Sequence, residues 1–161
     1  MKALNTVKIT FPSRSVNEGF ARSALSAFAA QADPTLDELA DVKTAVSEAV
    51  TNCIVHAYAN TIGPITLTAA LYEDGTLRVA VADKGCGIPD VSKAMEPLFT
   101  TGGAERAGLG FAVMESLMDK VKVSSKLGKG TTVTLEKKIL SKGSAGEMLP
   151  EGENHAHDGR A

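Results

Sequence analysis

Apolar and polar residues alternate through Val7, Ile9 and Phe11, the two-residue period of a half-buried strand. Ser15-Val-Asn-Glu18 then has capping-box spacing, and Val16, Phe20, Ala24 and Phe28 recur at helical intervals, which predicts a first helix over about 15–31. Asp33-Pro34 reads as an N-cap followed by proline at the first helical position. From there Leu36, Leu39, Val46, Val50 and Ile54 carry a long second helix to about residue 58. Ile65, Leu67 and Ala69, then Leu77, Val79 and Val81, alternate on either side of Glu73-Asp74-Gly75, the pattern of a β-hairpin.

Residues 83–110 lose this regularity and are rich in turn-formers, with room for a short helix near Val91–Met95. An irregular stretch of that length in a compact domain is usually a functional lid. Phe111, Val113, Met114, Leu117 and Met118 predict a third long helix, and Val121, Val123, Val133, Leu135 and Ile139 a second hairpin around Leu127-Gly-Lys-Gly130. The resulting order, β-α-α-β-β-lid-α-β-β, predicts an α+β fold: a two-layer sandwich of a mostly antiparallel sheet with helices on one face. Residues 141–161 change to Gly, Ser, Glu, Pro and His without periodicity and read as a disordered tail behind a single domain over 1–140. Its His155 and His157 are at most a weak metal pair, and a solvated tail is the favoured reading.

Composition narrows the classes. The chain has 161 residues, 43% of them hydrophobic, enough for one well-filled core. Its 17 basic and 19 acidic residues leave no electrostatic footprint for direct nucleic-acid binding. The tail carries Lys142 and Arg160 against Glu147, Glu151, Glu153 and Asp158, so the net charge of −2 belongs to it and residues 1–140 are neutral. No apolar run reaches the ~18 residues of a membrane span and Met1 to Phe11 lacks a signal-peptide core, so a cytoplasmic protein is expected. Cys53 and Cys86 have neither the number nor the spacing of a disulfide framework or zinc site; Cys53 reads as core.

Four segments can carry chemistry. Glu48 and Asn52, four apart on the second helix, share one face roughly 6 Å apart along the axis, which suits a general base beside a magnesium-bound phosphate. A solvated i,i+4 pair is the ordinary alternative. Asp83-Lys-Gly85-Cys-Gly87 follows a strand; its carboxylate can accept the amine hydrogen of adenine, and its glycines let backbone approach the base. A plain turn is the alternative there. Arg106-Ala-Gly108-Leu109-Gly110 opens the third helix, where free N–H groups and a guanidinium can hold phosphate. Gly128-Lys-Gly130-Thr131 is a hairpin turn whose first threonine can close over a nucleotide. No P-loop, kinase glycine-rich loop or zinc-helix motif occurs.

In this order, Glu48…Asn52, Asp83-x-Gly-x-Gly87, Gly108-x-Gly110 and Gly128-x-Gly130-Thr131 resemble the N, G1, G2 and G3 boxes of the GHKL ATPase and kinase superfamily. Glu18-Gly-Phe-Ala-Arg22, Val46-Ser-Glu-Ala-Val-Thr-Asn52, Pro97-Leu-Phe-Thr-Thr101 and Glu105-Arg-Ala-Gly-Leu-Gly-Phe111 are similar to one branch, the anti-sigma F factors of spore-forming bacteria. The resemblance covers about 4–140. It implies an ATP- and Mg²⁺-dependent serine kinase, a homodimer, that inhibits a sporulation sigma factor and phosphorylates an anti-anti-sigma partner. By position it implies Glu48 as general base, Asn52 as magnesium ligand, Asp83 and Thr131 on adenine, and Arg106, Gly108, Leu109 and Gly110 about the phosphates. Glu18 and Arg22 fall at the implied partner surface, where Glu18 as a plain helix cap is the alternative. The family usually continues Lys-Pro after Thr101; Gly102-Gly103 here predicts a more mobile lid. A general-stress anti-sigma kinase and a non-catalytic, ATP-gated sigma-sequestering module stay open beside this reading.

Overall fold

In the computed structural model, which describes residues 1–96 and 104–140 (side chains of 104–108 excepted), five strands form one sheet. They are β1 (Ala3–Pro12), β2 (Pro64–Tyr72), β3 (Thr76–Asp83), β4 (Lys120–Lys126) and β5 (Gly130–Lys138). Their order is β1-β2-β3-β5-β4, and every neighbouring pair is antiparallel. Registry aligns the apolar positions across strands. Leu67 faces Val81, which faces Val133, and Ala69 faces Val79, which faces Leu135. All six are buried, and each fully buried aliphatic side chain contributes roughly 1.5–3 kcal/mol. Asp83 ends this same row opposite Ile65, so strand alternation itself aims a carboxylate into the core-facing layer.

Four helices complete the fold: α1 (Val16–Ala29), α2 (Leu36–Asn52), α3 (Val91–Met95) and α4 (Ala104–Leu117). Helix α2 is central, packing against α1 and α4 and over β3 and β5. The expected α+β sandwich and both hairpins are present, and the short helix stands where the turn-rich stretch left room for it. Expectations placed on the lid beyond Glu96, including Gly102-Gly103, and on the tail over 141–161 lie outside the described residues.

The helix starts differ from expectation. Thr35, not Asp33, caps α2: its hydroxyl accepts from the Glu38 N–H at 3.1 Å while Glu38 accepts from the Thr35 N–H at 2.9 Å. Asp33 instead takes a left-handed turn, φ 50°, that leads the chain into the cap. Ser15 makes no side-chain cap: its backbone is already helical, φ −57° and ψ −33°, and the Glu18 N–H points to its carbonyl, while the Glu18 side chain reaches α2. The buried face of α1 is Ala21, Leu25, Phe28 and Ala29; Val16 and Phe20 at its start are exposed, Phe20 packing edge-on to Phe11 with ring centroids 6.5 Å apart. Leu36 is also exposed.

Beyond Asn52 the second helix widens into a π-turn, Cys53–Ala57, in which the Tyr58 N–H donates to the Cys53 carbonyl at 3.0 Å. Such widened turns frequently mark functional sites. The Tyr58 hydroxyl then donates to the Pro64 carbonyl at 2.7 Å and accepts from the Lys84 N–H at 2.6 Å, fastening the end of β3 to the start of β2.

Candidate functional site

The site assembles where the end of β3, the π-turn after α2 and the β4–β5 hairpin meet. Asp83 is buried there and its two oxygens are used unequally. Oδ1 accepts backbone N–H groups from Gly85 at 2.9 Å and Thr131 at 3.2 Å, while Oδ2 accepts the Cys53 thiol at 3.5 Å. Burial, and then the adjacent Asp83 carboxylate, pushes the Cys53 thiol above its ordinary range, so it stays a neutral donor. Beside Asp83 lies a cavity of about 150 Å³, walled by Asn52, Cys53, Ile88, Phe111, Thr131 and Val133. Apolar walls around a single fixed acceptor suit a flat heteroaromatic ring with an exocyclic amine.

Gly85 and Gly87 also meet protein backbone at close range, and Gly87 lines the cavity as well. A Cβ at Gly85 would fall 2.4 Å from the Ala57 carbonyl oxygen, and one at Gly87 2.5 Å from that of Lys126. Both glycines therefore let protein backbone pack on protein backbone, drawing the π-turn and the hairpin onto the loop that holds Asp83. Thr131 meets the site through its N–H; its hydroxyl lies 2.8 Å from Ser125 Oγ, which also accepts the Ile88 N–H at 2.8 Å.

Glu48 and Asn52 line a second cavity of about 220 Å³ with Thr51, His56, Leu109 and Gly110, and Asn52 and His56 belong to the walls of both. Helix α4 presses on this pair through Gly110, where a Cβ would stand 3.2 Å from Glu48 Oε2 and 3.3 Å from Asn52 Oδ1. The expected helix start at Gly110 is corrected: α4 begins at Ala104, so Gly110 sits inside the helix and its N–H is not a free end-group. The backbone at Arg106 and Gly108 forms the first turns of α4, and their surroundings lie outside the described side chains.

Asn52 Nδ2 is buried and has no hydrogen-bond partner among the described residues. A buried amide left unpaired costs roughly 1–3 kcal/mol, a cost a ligand here relieves. No group of three or more His, Cys, Asp or Glu side chains gathers as a metal cluster among the described residues. The pair nevertheless fits magnesium, which takes few protein oxygens and completes its shell with water and phosphate.

Glu18 and Arg22 meet as an ion pair at 3.3 Å, and the Ser47 hydroxyl donates to the same Glu18 oxygen. The implied partner residues are thereby tied to the helix turn that carries Glu48. A groove of about 830 Å³ between α1 and α2 runs from Arg22 past Ser26, Lys43 and Thr44 to Ser47 and Glu48.

Sequence reasoning passed over three contributors. Cys53 read as core and Tyr58 as the helix end, and Ser125 drew no reading of its own. Only Ser125 left a signal, since a hairpin closing at Gly130 pairs it with Thr131.

Comparison with known proteins places this geometry. The model of the histidine kinase-like ATPase domain family matches residues 11–137. A protein of Caldanaerobacter subterraneus subsp. tengcongensis named "Anti-sigma F factor" is 55% identical over 140 residues, 86% of this chain and 97% of the relative. One of the same name from Geobacillus stearothermophilus is 50% identical over 139 residues, 86% of this chain and 95% of its own. The crystal structure of the RsbU and RsbW domains of a Mycobacterium tuberculosis protein superposes with TM-score 0.63 at 26% identity, covering 84% of this chain but 32% of that one. The chain belongs to the histidine kinase-like ATPase domain family and, within it, to the anti-sigma F factors. Among the described residues no helix is long and apolar enough to cross a membrane.

Proposed function

We propose that this protein binds and inhibits a sporulation RNA polymerase sigma factor and, as an ATP- and Mg²⁺-dependent serine kinase, phosphorylates and inactivates an anti-anti-sigma partner. The observation that carries the reading is the pairing of Glu48 and Asn52 under Gly110, beside the cavity that ends on Asp83. Asp83 Oδ2 accepts the adenine amine; a 6-oxopurine would set a carbonyl against it and leave both groups unpaired. Asn52 holds magnesium, which when bound neutralises phosphate charge. Arg106, in the first turns of α4, pairs with the phosphates, and Gly108, Leu109 and Gly110 give them room rather than free N–H groups.

Phosphoryl transfer asks mainly for positioning and charge stabilisation. The groove ending at Glu48 lets a hydroxyl of a protein substrate, docked on Glu18 and Arg22, reach the carboxylate from the α1 side. Glu48 orients that hydroxyl and takes its proton late, a contribution of about 10²–10⁴-fold. The experiment is transfer of labelled γ-phosphate from ATP to a candidate anti-anti-sigma protein. Glu48→Ala should abolish transfer and leave ATP binding largely intact. Undiminished transfer by that variant sinks the assignment of the base, and binding of sigma without any transfer by the wild type favours the ATP-gated sequestering module.

A further inference from the structure

Asp83 presents two oxygens, and the chain treats them differently. Oδ1 is held by two backbone donors, Gly85 and Thr131, while Oδ2 accepts a single side-chain donor, the Cys53 thiol at 3.5 Å. Cys53 and Asp83 both wall the cavity, together with apolar Ile88, Phe111 and Val133 and with polar Asn52, His56 and Thr131. A carboxylate oxygen has about two acceptor sites, so Oδ2 with one weak donor keeps the other for a ligand. The donor's strength matters. A methyl group at residue 53 would leave Oδ2 without an in-chain partner and open to water, with the carboxylate held through Oδ1 alone. A thiol is small enough for a position only 4% exposed, yet weak enough to leave Oδ2 a strong acceptor.

We infer that Cys53 is a positioning residue for purine selection: by donating to Asp83 Oδ2 it fixes the carboxylate so that the remaining lone pair faces a 6-amino rather than a 6-oxo purine. The inference rests on the reading of Asp83 as the adenine acceptor, and it concerns discrimination between bases, not phosphate transfer. Cys53 sits directly after Asn52, where the π-turn begins, so the same backbone step that places the magnesium ligand places this thiol.

The test is calorimetric titration of the full chain with ATP and with ITP, whose base carries a 6-oxo group and an N1 hydrogen in place of the 6-amino group and bare N1 of adenine. The wild type should favour ATP, and Cys53→Ala should lower the ATP-to-ITP affinity ratio about fivefold, the worth of one hydrogen bond. Cys53→Ser, which restores a donor of similar shape but greater strength, should recover the ratio in part. In a Cys86→Ser background the infrared S–H band of Cys53 should shift on adding ATP and stay fixed on adding tripolyphosphate, a readout needing no change at residue 53. A Cys53→Ala protein with an unchanged ratio, or an S–H band indifferent to ATP, overturns the inference. Asp83→Asn separates the two levels. If it loses the preference while Cys53→Ala keeps it, only the role of Cys53 fails. If it keeps the preference too, the adenine reading fails and the inference with it.

Discussion

Gly110 of α4 lies directly against Asn52 of α2, close enough that a single added methyl would stand 3.3 Å from the Asn52 amide oxygen. The two helices therefore meet through a missing side chain beside Glu48 and Asn52, the proposed base and metal ligand. Gly110→Ala pits two effects against each other. Alanine gains about 0.5–1 kcal/mol of helix stability over glycine, whereas its methyl must displace Glu48 or Asn52 by a few tenths of an ångström. The displaced groups are the proposed base and metal ligand, so the variant should unfold at an unchanged or slightly higher temperature while losing at least tenfold in phosphate transfer. Thermal unfolding and the transfer assay on one preparation check both halves; full transfer at normal rate would show that Gly110 only permits close packing.

Asp83 sets an expectation for base preference in the unaltered protein. With Oδ1 already taken by Gly85 and Thr131, the ligand-facing oxygen can only accept, and guanine offers a carbonyl at that position. ATP should bind at least tenfold more tightly than GTP. Equal affinities by calorimetry would remove Asp83 from its assigned role.

The start of α2 gives a pH-dependent prediction. Burial opposes ionisation of Glu38, but hydrogen bonds from Thr35 and from the Leu140 N–H outweigh it and hold the carboxyl below its ordinary range. A carboxyl whose folded pKa is depressed contributes stability that is complete above its unfolded pKa of roughly 4.3 and fades as pH falls through the lower folded value. Stability should thus decline below about pH 4.3, and Glu38→Gln should flatten that part of the profile. Thr35→Ala should cost about 1 kcal/mol at neutral pH by removing the cap. Denaturant melts across the acid range read both; an identical acid limb in Glu38→Gln would refute the linkage.

The cap also shows what could and could not be read along the chain. Thr35-Leu-Asp-Glu38 and Ser15-Val-Asn-Glu18 carry the same spacing, yet only the first forms a capping box. The four-residue patterns do not separate them, but the backbone does, extended at Thr35 and already helical at Ser15. Glu18 is drawn off by Ser47, twenty-nine positions away, and a contact of that range leaves no trace in a four-residue pattern. Val16 and Phe20 misled for a related reason, since helical periodicity fixes a face but not which part of it the sheet covers. The hairpins and the short helix at Val91 were legible because turn chemistry and alternation are local. The glycines after Asp83 were found for their bends, but what they pack against, Ala57 and Lys126, depended on the whole fold.

Ser47, Glu48, Asn52 and Cys53 fall within two turns of a single rod, α2 and the π-turn that extends it. Removing or adding one residue between Ser47 and Cys53 would rotate the later members by about 100° relative to the earlier ones. Contact with Glu18, the reacting pair and the fastening of Asp83 would all fall out of phase together. Heritable length variation should accordingly collect in the turn at 59–63 and spare these seven positions, because no stepwise path lets one of these roles drift while the others are kept.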